Sequence, residues 1–363
     1  MKNKEIRMNH VWKRWLLGLM VGVLFFGGSL GAVESKVDKP YVLGFGDSGV
    51  GGLIFAMDAY RDLLPFLLQI ESKYQVKFVF QHVGDTKNAP YGQKKPAEIS
   101  VLTRDFVNFL NKDVTSNQVV IACNTASTVV DDEMDAYFKK LYPNTPVTAI
   151  IKKSAEALYR KAKVVTNKDG QKEISMGVLA TPATVKSGRY QAALAAIHAD
   201  RFGKEGVALK TFFYGPKTWV YNIEHGVSTD IKQADLESDM SVFLAQPGAT
   251  SVTAVGLFCT HYPYFKHQIL SYMTHHGVVG SVAVVSQGKI FAAKIKDGIL
   301  SDLKAGKYEK RKDVLDVKTI KHPQIFSHIT GDNLEEVKGV AKIVAPELLD
   351  VLVVSPAKIK QLQ

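Results

Sequence analysis

The run VVIACNTASTVV, residues 119–130, constrains this chain more than any other stretch. Val119 to Ala122 are β-branched or small and apolar without polar alternation, the pattern of a strand buried on both faces of a parallel sheet. Cys123, Asn124 and Thr125 follow at once, so a thiol, an amide and a hydroxyl stand where that strand ends. In open α/β sheets ligands bind beyond the carboxyl ends of the strands, which makes this exit a candidate site. A buried core cysteine is the competing reading, because free Cys is among the most buried residue types.

A second copy follows. In TAVGLFCTHYPYF, residues 253–265, another apolar strand ends in Cys259, Thr260 and His261, and the chain has only these two cysteines. Upstream of each lies a further strand with a polar, small-residue exit: YVLGFGDSGVGG with Asp47 and Ser48, and ISMGVLATPATVKSG with Thr181 and Thr184. Asp47 precedes Cys123 by 76 residues, and Thr181 precedes Cys259 by 78. Near-equal spacing predicts two similar three-layer α/β domains with mostly parallel sheets and a shared cleft between them. The boundaries expected are 41–148 plus 282–346 for the first, 149–281 for the second, and 347–363 as a C-terminal tail.

Local signals fill in the halves. The glycines of DSGVGG open a helix over 53–64 that Pro65 closes, and they let backbone amides approach an anion. The motif is no phosphate loop, since GxxxxGK[ST] is missing and an acid sits inside it. Residues 147–151 open the second half, and 282–285 form a strand that returns to the first. Residues 305–321, AGKYEKRKDVLDVKTIK, read as a solvated insertion. HHG at 275–277 reads as a helix end with a glycine stop rather than a metal site, and no metal is expected for lack of ligand spacing.

The first segment has the order of an export leader. Lys2, Lys4, Arg7, Lys13 and Arg14 precede an apolar core at 15–26, and small residues at 27–32 offer a cleavage point near Gly31 or Ala32. Residues 1–32 are therefore expected to be a signal peptide and the mature chain periplasmic or secreted. The rival is an uncleaved inner-membrane anchor, and that leader is the only membrane contact expected. Without residues 1–32 the net charge falls from +11 to +7, because five Lys or Arg and one Glu are lost. Such a surface favours anionic partners, but no aromatic-studded basic run points to nucleic acid.

GDSGVGG, GDTKNAPYG, ACNTAS, the ATPAT loop, WVYNIEHG and CTHYP, in this order, resemble the aspartate/glutamate racemase superfamily and within it the glutamate racemases. The resemblance runs from about Tyr41 to about Pro346, and CNTAS paired with CTHYP is its specific signal. It implies a cofactor-independent isomerase for glutamate, with Cys123 taking the α-proton from the D-enantiomer and Cys259 from the L-enantiomer. Asp47 and His261 are implied as their assistants. The implied binding residues are Asp47, Ser48, Tyr91, Gly92, Asn124, Thr125, Thr181, Thr184, Glu224, Thr260 and His261. D-Glutamate production outside the cytoplasm points to cell-wall peptidoglycan or matrix chemistry. Oligomeric state is left open, a homodimer among the options.

The chemistry suits these residue types. An α-proton beside a carboxylate is very weakly acidic, so two bases must flank one carbon and the developing charge must be neutralised. A thiol at its reference value is only a few per cent thiolate at neutral pH, so each needs a neighbour to take its proton. Bland readings stand beside these: Asp47 as a helix N-cap, His261 as a packing residue and Tyr91 as a core aromatic. Two cysteines in an exported chain also suit one structural disulfide.

Two departures bear on specificity. Gly46 stands where the family usually carries Phe, which would leave a roomier cleft, and Val284, Val285 and Ser286 stand where it commonly has an acid. His261, where the aspartate branch usually has an acid, favours glutamate. The alternatives are a broad-specificity racemase, a non-catalytic exported binder of acidic amino acids, and another α-proton reaction, which commonly keeps a single cysteine.

Overall fold

The run expected to be buried on both faces lies inside a parallel sheet. The computed structural model describes residues 38–203, 205–278, 282–357 and 359; the leader, 1–32, lies outside them. Strands β1 (Lys39–Asp47), β2 (Val76–Gly84), β3 (Gln118–Ile121) and β4 (Val147–Ala149) are followed by β5 (Val164–Thr166), β6 (Lys172–Ala180), β7 (Ala208–Tyr214), β8 (Ala254–Phe258) and β9 (Ala283–Val285). Strands β10 (Gln324–Ile329) and β11 (Leu352–Pro356) close the chain. The first sheet has the order β11-β10-β2-β1-β3-β4 with every pairing parallel.

Strand β1 sits at its centre, and residues 41–47 are all buried, as a strand covered on both faces requires. Phe45 stacks on Phe80 of β2 with ring centroids 5.7 Å apart, beneath the edge of Tyr60. In the second sheet β6 pairs in parallel with β7 and β8, and β9 extends β8. A hairpin precedes β6: β5 pairs antiparallel with β6, and the Asn167 carboxamide oxygen accepts from Asp169 and Gln171 N–H groups across the turn. The described residues from 38 onward form one compact unit. A continuous apolar cluster joins the lobes, running from Phe45, Phe55 and Phe291 to Trp219, Leu257 and Tyr262.

Several expectations fail for identifiable reasons. The helix after DSGVGG does not stop at Pro65 but runs from Gly51 to Lys73, because Leu63, Leu67 and Leu68 bury the same stripe on both sides of the proline. Strand β4 does not open the second half; it pairs with β3 at the edge of the first sheet. Strand β9 pairs with β8, so the chain returns to the first lobe only with helix Gln287–Lys304, which packs on Gly51–Lys73. Three apolar residues suit either sheet edge, and the sequence around them carries no register.

The tail from 347 contains β11, hydrogen bonded to β10. The charged insertion is mostly exposed but anchored: the Tyr308 hydroxyl donates to the Pro40 carbonyl, and Arg311 pairs with Asp38 at 2.6 Å. At HHG the helix ends at His275 and Gly277 takes φ +80, the expected glycine stop. Among the described residues no helix is long and apolar enough to cross a membrane.

Candidate active site

Strands β1, β3, β6 and β8 each end at one cavity of about 360 Å³, within the range of small-molecule sites. Asp47, Ser48, Tyr91, Gly92, Cys123, Asn124, Thr125, Thr181, Cys259, Thr260 and His261 line it. Both cysteines are buried and free, so no disulfide joins them. Thr184 lies behind the wall, where its hydroxyl meets those of Thr181 at 2.9 Å and Thr125 at 3.3 Å. This triangle of hydroxyls ties the exit of β3 to that of β6.

Cys123 is the N-cap of the short helix Asn124–Ser127, and its sulfur accepts from Ala126 N–H at 3.3 Å. The thiol donates to Ser48 Oγ at 3.5 Å, and Ser48 Oγ donates to Asp47 Oδ1 at 3.3 Å. A thiol, a hydroxyl and a carboxylate thus form a continuous path for a proton. Burial, reinforced by the Asp47 charge, pushes the Cys123 thiol up to about 12, against the pull of Ala126 N–H and Ser48. Burial likewise raises Asp47 to about 6, opposed chiefly by the charge of His261. Asp47 is not a helix cap: its Oδ1 accepts from Gly49 N–H, and the helix begins after Val50.

The other thiol has the matching arrangement. Cys259 Sγ lies 3.6 Å from His261 Nδ1, and His261 Nε2 lies 2.7 Å from Glu224 Oε1, so the histidine does not merely pack. Burial opposes the imidazolium, yet the hydrogen bonds to Cys259 and Glu224 win and hold His261 well above its ordinary value. Glu224 Oε1 also accepts from Val50 N–H. That amide and Gly49 N–H are therefore satisfied by the protein's own carboxylates, not left open for an anion as DSGVGG suggested.

The glycines of that motif serve close approach instead. A Cβ on Gly51 would lie 2.1 Å from Thr260 Oγ1 and 2.6 Å from the His261 ring. On Gly52 it would lie 2.4 Å from Asp47 Cβ and 2.7 Å from His82 Nε2. At Gly51 only bare backbone lets the first lobe come this near the second, and at Gly52 it lets the helix close on β1 and β2.

Gly46 does not open the cleft. A Cβ there would meet the Phe106 ring at 2.3 Å, so a phenyl group from the helix Pro96–Lys112 already fills the space. An acid is also present near Ser286: Asp58 Oδ2, from the helix Gly51–Lys73, accepts from Ser286 Oγ at 2.6 Å. Tyr91 lines the cavity with its ring but sends its hydroxyl to Asp85 Oδ2 at 2.8 Å, so it is both wall and core.

Sequence reasoning passed over Gln93, Lys217 and Val220 in the wall, and Gln287, Tyr190 and His82 behind it. Val220 lies within WVYNIEHG, where only Glu224 was singled out; the others sit in no quoted motif and are identified by three-dimensional proximity alone. His82 is fully buried, bonded through Nδ1 to Ser327 and held neutral by burial, its pKa lowered to about 3.

No protein-family model matches the chain. It is similar to the glutamate racemase of Synechococcus sp. (strain CC9605), 33% identical over 224 residues that span 62% of this chain and 69% of the relative. The glutamate racemase of Aquifex aeolicus is 30% identical over 261 residues, 72% of this chain and 84% of the relative. Among solved structures, that of glutamate racemase from Francisella tularensis in complex with D-glutamate matches with a TM-score of 0.60 at 22% identity, over 88% of this chain and 98% of that one. The Thermus thermophilus enzyme in complex with β-chloro-D-alanine gives 0.60 at 23%, over 90% of this chain and all of that one, so the two-lobed fold is shared. On the identity and coverage of these relatives, this chain belongs to the glutamate racemase family.

Proposed function

We propose that the chain interconverts L- and D-glutamate without a cofactor, through two thiols acting from opposite sides of the α-carbon. The observation that carries this is the pair of free, buried cysteines opening on one cavity, each backed by a carboxylate through one intermediary, Ser48 or His261. For D-glutamate, the Cys123 thiolate takes the α-proton and the Cys259 thiol donates its own to the opposite face. L-Glutamate runs the same transfers in reverse.

Hydroxyl and amide donors from Ser48, Asn124, Thr125, Thr181 and Thr260 suit the carboxylates without trapping the thiolates against a fixed cation. Lys217 in the wall supports a substrate with a second anionic group. Phe106 filling the space beside Gly46 argues against a widened, promiscuous cleft.

The test is loss of optical rotation from L-glutamate by purified protein in deuterated water, with deuterium appearing at the α-carbon of the D-product. Racemisation of alanine or aspartate faster than glutamate would overturn the substrate; binding of glutamate without exchange would overturn the activity.

We further propose that the enzyme acts outside the cytoplasm. The charged, apolar, small-residue order of residues 1–32 supports a cleaved leader. N-terminal sequencing of protein from the periplasm should begin at or just after Gly31 or Ala32. Recovery of the full-length chain from membranes would establish the anchor instead.

A further inference from the structure

Behind the Cys123 exit lies a set of buried polar side chains that the proton-transfer scheme does not use. Gln287, the first residue of the helix that carries the chain back to the first lobe, faces Asn124 in a reciprocal amide pair. Asn124 Nδ2 donates to Gln287 Oε1 at 2.8 Å, and Gln287 Nε2 donates to Asn124 Oδ1 at 3.0 Å. Gln287 Nε2 also donates to Ser154 Oγ at 2.7 Å and approaches the Tyr190 hydroxyl at 3.2 Å. Tyr190 in turn donates to Asn124 Oδ1 at 2.6 Å. Asn124, Ser154, Tyr190 and Gln287 are at most 3% exposed, so water does not compete for these bonds.

The donor count fixes the Asn124 amide. Its oxygen accepts from two donors, Tyr190 and Gln287, so the carboxamide cannot flip without facing donor against donor. One hydrogen of its Nδ2 goes to Gln287 Oε1. The other has no partner among the hydrogen bonds of the described residues, and Asn124 lines the cavity beside Cys123. Tyr190 is itself fixed, stacked on Phe258 with centroids 4.3 Å apart, and Phe258 immediately precedes Cys259. One buried network therefore reaches the loops of both thiols.

We propose that Gln287 is a positioning residue: it locks the Asn124 amide so that its spare N–H is presented to a substrate carboxylate. This rests on the racemase reading above, because it supposes an anionic ligand in the cavity. The substrate's side-chain carboxylate, unlike the α-carboxylate, gains no charge as the α-proton leaves, so loosening an Asn124 that holds this group raises KM and leaves kcat nearly unchanged. A hydrogen bond to a charged group is worth about ten- to a hundredfold in affinity.

The experiment compares Gln287→Met, near in shape but without donors, with Gln287→Glu, Tyr190→Phe, Asn124→Ala and the double variant Asn124→Ala/Gln287→Met. Kinetics in both directions are measured with calorimetric D-glutamate binding, and thermal melts confirm folding. Met and Glu at 287 should raise KM and the dissociation constant about tenfold or more with kcat within about threefold, and Tyr190→Phe should shift the same quantities less. The double variant should be no worse than Asn124→Ala, because the two residues act through one bond.

Wild-type KM in a folded Gln287→Met variant, or effects that multiply in the double variant, would overturn the positioning role. A wild-type protein that binds D-glutamate without turnover, and loses affinity in Gln287→Met, would overturn the racemase reading and uphold this one.

Discussion

Asp47 Oδ2 accepts a hydrogen bond from Thr260 Oγ1 at 3.2 Å, so the acid linked through Ser48 to Cys123 is held by the residue next to Cys259. His261, whose ring meets the Cys259 sulfur, is also the group whose charge most lowers the Asp47 pKa. The two half-sites are electrostatically joined, and altering either assistant should be felt in both directions of the reaction.

Replacing Cys123 or Cys259 singly by Ala removes one of two proton-transfer groups. Each variant should lose racemisation by at least about a thousandfold, within the range for a general acid or base that nothing else replaces. Circular dichroism should show the fold retained. More than about a tenth of wild-type racemisation in either variant would contradict the two-thiol scheme.

The rate from D-glutamate should carry an acid limb near pH 6. Burial raises Asp47 to about 6, and only the ionised carboxylate can receive the proton passed on from Cys123 through Ser48. Activity is therefore present above that pH and falls as pH drops through it. A kcat/KM profile flat down to pH 4.5 would remove Asp47 from the path. Ser48→Ala, which breaks the path between Cys123 and Asp47, should lower kcat about tenfold or more from the D side.

Glu224→Gln keeps an acceptor opposite His261 Nε2 but removes the charge behind it. The imidazolium should lose its proton at lower pH, because the Glu224 hydrogen bond and charge help to raise it. We expect about a tenfold fall in kcat/KM from L-glutamate and an alkaline limb displaced to lower pH. An unmoved limb would show that Cys259 alone sustains the cation.

Gly51→Ala places a methyl group inside contact distance of Thr260 and His261. Overpacking of this kind costs about 1–3 kcal/mol, and relief by separating the lobes would displace His261. Thermal denaturation should show lowered stability, and kcat should drop. A variant with unchanged melting temperature and activity would show that the lobes part at no cost.

Much of this was legible beforehand because strands and their exits obey local rules. Cys123 and Cys259 follow uninterrupted apolar runs, and a parallel sheet delivers such residues to one edge. What escaped was set by distance along the chain. Gln287 meets Asn124 across 163 residues, and Asp58 reaches Ser286 across 228, pairings with no periodic trace in sequence. Phe106 filling the space beside Gly46 is of the same kind, since a missing side chain says nothing about which neighbour moves in.

The apolar cluster that joins the lobes also governs how the molecule comes apart. Leu257 beneath the Cys259 exit and Phe45 beneath the Asp47 exit belong to one uninterrupted interior. Neither half can expose its share without opening the other's, so residues 38–357 should melt as a single cooperative unit, with one calorimetric transition whose van't Hoff and calorimetric enthalpies agree.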